Sequence, residues 1–302
     1  MDTNPRILED FKAYRLSKEF TSYEKAKFVI LPVMYEGTVS YKKGTFYAPK
    51  KIMDAFLNLE LYDEELGISA YKLGIYLEDP LIFDSKEKPE IVIEKTQQRV
   101  SKILTHGKLP VILGGEHSIT IGCVKAMLKR YKNLSILILD AHADLRDEFM
   151  KSRYNHACTS ARIRELSSEV VQVGVRSMSR KEGERLKKEK LDLYFAKDFL
   201  ENKETVVKEI LSKLQKDVYV SIDVDVFDSS ILPAVGTPEP GGLDWYSVLF
   251  LLKELSKRKK IRGFDLVEFS PIAKFHAYDF MLAKLMYKFL GYISVFNYQT
   301  SI

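Results

Sequence analysis

The chain has 302 residues, 46% of them apolar, and a net charge of +5. That length accommodates one large α/β domain or two small ones, and no Gly/Ser/Pro-rich linker divides it, so one domain over residues 1–302 is expected. The charge is spread over many Lys and Glu, which argues against nucleic-acid binding; the richest basic run, Lys257-Arg258-Lys259-Lys260, reads as the cationic end of a helix.

Residues 1–12 are polar and lack the apolar core of a signal segment, and no uncharged run is long enough to span a bilayer. A cytoplasmic protein with no membrane partner is therefore expected. The two cysteines, Cys123 and Cys158, are too few for a disulfide framework and have no zinc-site spacing; Cys123 reads as a core residue of a helix.

In chain order, apolar runs predict strands at 26–33, 71–77, 109–113, 134–140, 170–175, 191–195, 217–223 and 261–267. Helical patterns fall between them at 48–60, 86–106, 119–131, 156–166, 179–189, 198–215 and 244–258, with a last one at 276–290. Pro49 suits the first turn of its helix, where a missing N–H costs nothing. Regular alternation with unbroken apolar strands predicts a mostly parallel sheet of about eight strands, covered by helices on both faces in three α/β/α layers. An eightfold β/α barrel has the same local pattern and stays open at this point.

Three strand ends carry the chemistry. The run 134–139 stops at Asp140-Ala-His142-Ala-Asp144, and side chains two apart in extended backbone share a face, so two carboxylates and an imidazole can aim at one point. The strand at 109–113 ends in Gly114-Gly115-Glu116-His117-Ser118, and the strand at 217–223 in Ser221-Ile-Asp223-Val-Asp225. Taken singly, each could be a helix cap or an ion pair. Together they supply four aspartates and two histidines. Four carboxylates balance two divalent cations, which favours a binuclear centre, and oxygen and imidazole donors without thiolate suit Mn²⁺ or a similar borderline-hard ion. Water between two such ions loses a proton near neutral pH and becomes a nucleophile.

Gly-Gly-Glu-His-Ser, Asp-Ala-His-Ala-Asp and Ser-Ile-Asp-Val-Asp, in that order, resemble the ureohydrolase family of arginases and agmatinases. The likeness extends from the segment 41–49 through Gly236-Thr237-Pro238-Glu239-Pro240-Gly241-Gly242 to Glu268. The resemblance implies an arginase/deacetylase-like fold, with one Mn²⁺ on His117, Asp140, Asp144 and Asp223 and the other on Asp140, His142, Asp223 and Asp225. A bridging hydroxide would attack a guanidinium carbon and release urea. His156 matches the family histidine that protonates the leaving amine or shuttles protons, and Glu268 the carboxylate that orients the guanidinium; on residue type alone they also read as a surface histidine and a strand-end acid. Cys158 then reads as packing.

Ser229 replaces a usual proline, and the loop 233–237 varies the family's glycine-rich form; both touch loop stiffness rather than ligands. After Asp144 the chain lacks the Asn- and Ser-bearing segment with which arginases grip an amino-acid carboxylate, and Val-Gly-Val-Arg-Ser at 173–177 looks like agmatinase. Agmatine, cleaved to putrescine and urea, is the expected substrate, ahead of aminopropylagmatine, guanidinobutyrate or arginine. Asp147 or Glu148 is the expected acceptor for its distal amine. Another binuclear-metal hydrolase and a non-catalytic metal-binding protein are the readings from other classes. The family's trimers or hexamers imply a homo-oligomer, and the aromatic segment 287–298 reads either as an interface or as core.

Overall fold

The structure is a computed structural model that describes residues 16–298. Nine parallel strands form one open sheet: β1 (Phe28–Met34), β2 (Ile75–Leu77), β3 (Leu81–Ile82), β4 (Leu109–Gly114), β5 (Leu134–Leu139), β6 (Val170–Val175), β7 (Leu193–Phe195), β8 (Asp217–Asp223) and β9 (Lys260–Val267). Their order is β2-β1-β4-β9-β8-β5-β6-β7, so the barrel alternative falls. β2 pairs with residues 28–30 of β1 and β3 with Val33 and Met34, so the two share one edge and the sheet is eight positions wide.

Every residue of β1, β4, β5 and β6 is buried, as unbroken apolar runs require when both faces are covered. Alternation decides which layer each side chain joins: Phe28, Ile30 and Met34 enter one core, Val29, Leu31 and Val33 the other. The first core is closed by helices Ala48–Phe56, Lys203–Lys213, Trp245–Arg258 and Ala277–Tyr298, the second by Pro89–Thr105 and Thr120–Arg130. Cys123 is buried in this second core, as its sequence context suggests.

Three elements differ from expectation. The helix predicted over 198–215 is two helices, Ala196–Glu201 and Lys203–Lys213, because Asn202 leaves the helical region at φ −137° and ψ 41°. Asn competes for backbone hydrogen bonds and so favours such breaks. Residues 70–73 form a 3₁₀ turn, and the strand starts only after Gly74, whose φ of 79° interrupts an extended chain. The last helix runs eight residues past the expected end, and Tyr287, Phe289 and Tyr292 are buried in it. The Tyr287 hydroxyl donates to the Leu61 carbonyl at 2.6 Å, so the stretch is core through Ser294, while 295–298 are half-buried. Among the described residues no helix is long and apolar enough to cross a membrane.

The chain leaves β5 toward β6 on one side and β8 toward β9 on the other, although β5 and β8 are neighbours. Such a reversal opens a crevice at the carboxyl ends of the strands, where open α/β sheets place ligands.

Candidate metal centre

β4, β9, β8 and β5 are consecutive in the sheet, and each delivers chemistry-bearing side chains to a cavity of about 280 Å³ at their carboxyl ends. Its lining includes His117 after β4, Glu268 after β9, Asp223 at the end of β8 and Asp225 just past it, and His142 and Asp144 after β5, with His156 on the wall. The backbone packs tightly here. A side chain at Gly115 would overlap the Tyr35 carbonyl, and the Gly115 and Glu116 amides donate to the Val33 and Tyr35 carbonyls at 2.9 and 3.0 Å. Only glycine lets the end of β4 approach β1 so closely.

The inner group forms around His117. Its Nδ1 stands 3.5 Å from Asp140 Oδ2, 3.4 Å from Asp144 Oδ2 and 3.2 Å from Asp223 Oδ2. Behind the ring, Nε2 lies 3.1 Å from Ser221 Oγ, and Ser221 donates its proton to Asp265 Oδ1 at 2.7 Å. Thr120 and Tyr219 also donate to Asp265, at 3.0 and 2.6 Å. With its proton committed, Ser221 can only accept, so His117 must donate from Nε2. That leaves Nδ1 to be filled by a proton or a cation, facing three carboxylate oxygens. His117 Nδ1 and Asp140 Oδ2 are buried and have no hydrogen-bond partner among the described residues. Orphaned buried polar atoms cost about 1–3 kcal/mol each, and an octahedral ion with bonds of about 2.1 Å spaces adjacent ligands about 3 Å apart. The donor set fits a divalent cation.

The outer group forms around His142, whose Nδ1 is 2.8 Å from Asp225 Oδ2 and 3.8 Å from Asp140 Oδ1. The ligand atoms of His117, Asp140 and Asp223 lie within metal-binding reach of one another, as do those of Asp140, His142 and Asp225; Asp140 belongs to both groups. The protonation behaviour expresses the same crowding. Burial, then Asp144, Asp223 and Asp225, push Asp140 well up, and burial and Asp225 push Asp223 up to about 8. Burial opposes charge on His117 and His142. Asp144 and Asp223 outweigh it at His117, raising it well above 6.5, and Asp225 does so at His142, raising it to about 11. Burial also pushes Asp225 up, but His142 and the Ala141 amide pull it down to about 2. Positive charge is what this cluster lacks.

Asp144 and Glu268 both adopt left-handed backbone, at φ 50° and 64°, conformations that non-glycine residues rarely hold outside constrained sites. Glu268 Oε1 accepts from the His117 amide at 2.6 Å, and burial, then Asp223 and Glu116, push its carboxyl well up. His156 sits in the first turn after Asn155, whose side chain caps the Ala157 amide; its Nε2 is 3.2 Å from Ser40 Oγ. Cys158 is buried, its thiol 3.8 Å from the Ser152 carbonyl, a packing position.

The expectation that Asp147 or Glu148 meets the distal amine of the substrate finds no support in the geometry. Arg153 donates to both Asp147 oxygens at 2.8 Å and Arg162 to one at 2.8 Å, and neither acid lines the cavity. Both stand on an adjoining groove with Arg146 and Arg185. Arg146 and Phe149, on either side of the two acids, do line the cavity, so adjacency in sequence does not tell which side chains of this loop face it. Several supporting residues carry no signal of their own in the sequence: Ser221 is legible only as part of its motif, and Asp265 is its registered partner across the β8/β9 pairing, 44 residues away. Arg176 donates to the carbonyls of Asp225, Phe227 and Glu239 at 2.8, 3.0 and 2.9 Å, tying the 224–242 loop to the end of β6. Glu182 lines the cavity but is spent on the Leu145 and Ser179 amides at 2.9 and 2.7 Å. Its S-x-x-E context with Ser179, a capping box, was a readable signal.

An open parallel sheet whose central strand ends gather aspartates and histidines around two overlapping cation positions defines a metal-dependent hydrolase scaffold. The model of the arginase family matches residues 26–291, and the chain belongs to that family of metal-dependent ureohydrolases. It is 36% identical over 287 residues to the N(1)-aminopropylagmatine ureohydrolase of Synechocystis sp., covering 93% of this chain and 94% of the relative. It is 35% identical over 287 residues to the agmatinase of Pyrococcus horikoshii, covering 94% and 98%. Its fold resembles the crystal structure of the agmatine ureohydrolase of Thermoplasma volcanium with a TM-score of 0.86 at 35% identity, covering 95% of this chain and 96% of the other.

Proposed function

We propose that the protein hydrolyses agmatine to putrescine and urea, using two Mn²⁺ ions held by His117, Asp140, Asp144 and Asp223 on the inner side and Asp140, His142, Asp223 and Asp225 on the outer. The observation that carries this reading is the sharing of Asp140 between two histidine-centred groups on the floor of one cavity that Glu268 and His156 also line. When bound, the ion pair supplies Lewis-acid chemistry and a water activated near neutral pH.

The chain's own residues do the rest. Glu268 pairs with the planar guanidinium, which neutralises the repulsion between that cation and the metals and aims its carbon at the cavity floor. One Glu268 oxygen is already held by the His117 amide, so the carboxylate is fixed in orientation before substrate arrives. His156 supplies the proton that the departing amine needs, since expelling an amine without protonation is prohibitively slow near neutral pH.

A second substrate reading, aminopropylagmatine, is favoured by the Synechocystis relative, which bears that substrate in its name. Urea release from agmatine, aminopropylagmatine, guanidinobutyrate and arginine, after loading with Mn²⁺, Co²⁺ or Zn²⁺, tests both. Agmatine with Mn²⁺ should give the highest kcat/KM; absence of urea from every compound with metal bound would refute the assignment. Assembly as a trimer or hexamer accompanies this reading and is tested by sedimentation.

A further inference from the structure

Glu116 is fully buried, belongs to neither ligand group, and is not needed to hold an ion. Three donors converge on it. The Thr38 amide reaches Oε2 at 2.6 Å, the Thr38 hydroxyl reaches Oε1 at 2.6 Å, and the Ser118 hydroxyl reaches Oε1 at 2.5 Å. Thr38 lies in the loop between β1 and the helix Ala48–Phe56, and this loop is closed at its far end by Glu36, which accepts from the Gly44 and Phe46 amides and the Thr45 hydroxyl. Two acids therefore pin a segment that would otherwise be free to move.

The same segment holds both nitrogens of His156. Thr38 Oγ1 accepts from the His156 amide at 3.0 Å and lies 3.4 Å from Nδ1, while Ser40 Oγ lies 3.2 Å from Nε2. The Asn155 side chain donates to the Thr38 carbonyl at 3.2 Å, so the approach of the two segments is fixed from both sides. A hydroxyl has one proton and two lone pairs. Thr38 has given its proton to Glu116, so toward the histidine it can only accept. The tautomer that fits carries its hydrogen on Nδ1 and leaves Nε2 bare for the Ser40 hydroxyl, and both His156 and Ser40 line the cavity.

We propose that Glu116 and Thr38 are positioning residues that fix His156 as its Nδ1–H tautomer, so that Nε2 takes up the proton it later gives to the leaving amine. This rests on the proton-transfer role given to His156 above. The chain of influence runs Glu116 to Thr38 to imidazole, with no contact between Glu116 and substrate required. A carboxylate orienting a histidine is a familiar arrangement; here a threonine stands between the two.

The test uses ¹⁵N-histidine-labelled protein loaded with diamagnetic Zn²⁺, the His156 ring signals being assigned by their loss in His156→Asn. Wild type should show a protonated Nδ1 and a bare Nε2 in the neutral ring. Thr38→Val should shift the ring toward the Nε2–H form, and Thr38→Ser, which keeps the hydroxyl, should restore the wild-type pattern. In Mn²⁺-loaded enzyme, Thr38→Val and Glu116→Gln should lower kcat about 10-fold or more with KM within about twofold, as loss of a proton-transfer contribution predicts, and Thr38→Ser should recover most of it. A wild-type Nε2–H tautomer, or an unchanged tautomer in Thr38→Val, overturns the proposal. A shifted tautomer with unchanged kcat overturns its part in the reaction. Full activity of His156→Asn would instead remove the role of the histidine, leaving the tautomer assignment to stand on the spectra alone.

Discussion

The inner and outer groups of the metal centre share Asp140 yet solve their electrostatics differently. His117 is 1% exposed, and its Nδ1 is nearly equidistant from three carboxylates without bonding any, while Ser221 and Asp265 hold the far side of the ring. The His142 side chain is 24% exposed and bonds directly to Asp225, with Glu239 3.7 Å from its other nitrogen. The outer pair can satisfy itself through one short charged contact and nearby solvent. The inner group cannot, and a cation is its one means of neutralising several buried acids at once. The lesson is that affinity should be graded: the inner position should hold an ion more tightly, and the outer one should exchange first.

The shared carboxylate gives the largest expected effect. Asp140→Asn should reduce urea release by about 10³-fold or more and lower metal content at both positions, measured by elemental analysis against protein. Retention of two ions per chain would dissolve the distinction, because it would mean that the groups do not depend on their common member. Next in size, Glu268→Gln should cost about 10²-fold in kcat/KM, the scale of a lost charge-assisted contact, with metal content unchanged. That outcome separates substrate orientation from ion binding.

The grading itself is sharpened by pairing His117→Asn with His142→Asn. The first should lose inner binding and the greater part of the thermal stabilisation by Mn²⁺; the second should keep one ion. Asp265→Asn should weaken inner binding by about 10–100-fold, the usual penalty for losing a group behind a metal ligand, and leave the outer position unaffected. Binding at both positions should tighten as pH rises. His142 is raised to about 11 and His117 well above 6.5, so a cation entering either position displaces an Nδ1 proton, and lower proton activity favours that exchange. Calorimetry in buffers of different ionisation enthalpy would count the protons released. At the small end, Asp147→Asn should leave KM for agmatine unchanged, because its carboxylate is occupied by Arg153 and Arg162 outside the cavity.

The two groups also differ in how much of each could be read in advance. The six acids and imidazoles that meet at the strand ends are legible in the sequence, because a donor at the end of a buried apolar strand has an unambiguous address. The supports were not. Asp265 sits in mid-strand among apolar residues, and its link to the site runs through Ser221, a neighbour created by β8 pairing with β9. Arg176 belongs to a family-like segment, but nothing in its surroundings along the chain indicates that it serves the carbonyls of a loop about fifty residues away.

By itself the sequence determined the alternation of strand and helix, the burial of the sheet on both faces and which acids and imidazoles stand at the strand ends. These follow from local periodicity and from residue chemistry at strand ends, which need no knowledge of what lies across the sheet. Tertiary structure decided the open order of the strands and the fate of each charged group near the site. Whether an acid such as Asp147, Glu182 or Glu116 is free to meet a ligand depends on which donors arrive from distant segments. That is a property of strand order and loop packing, and no local pattern encodes it.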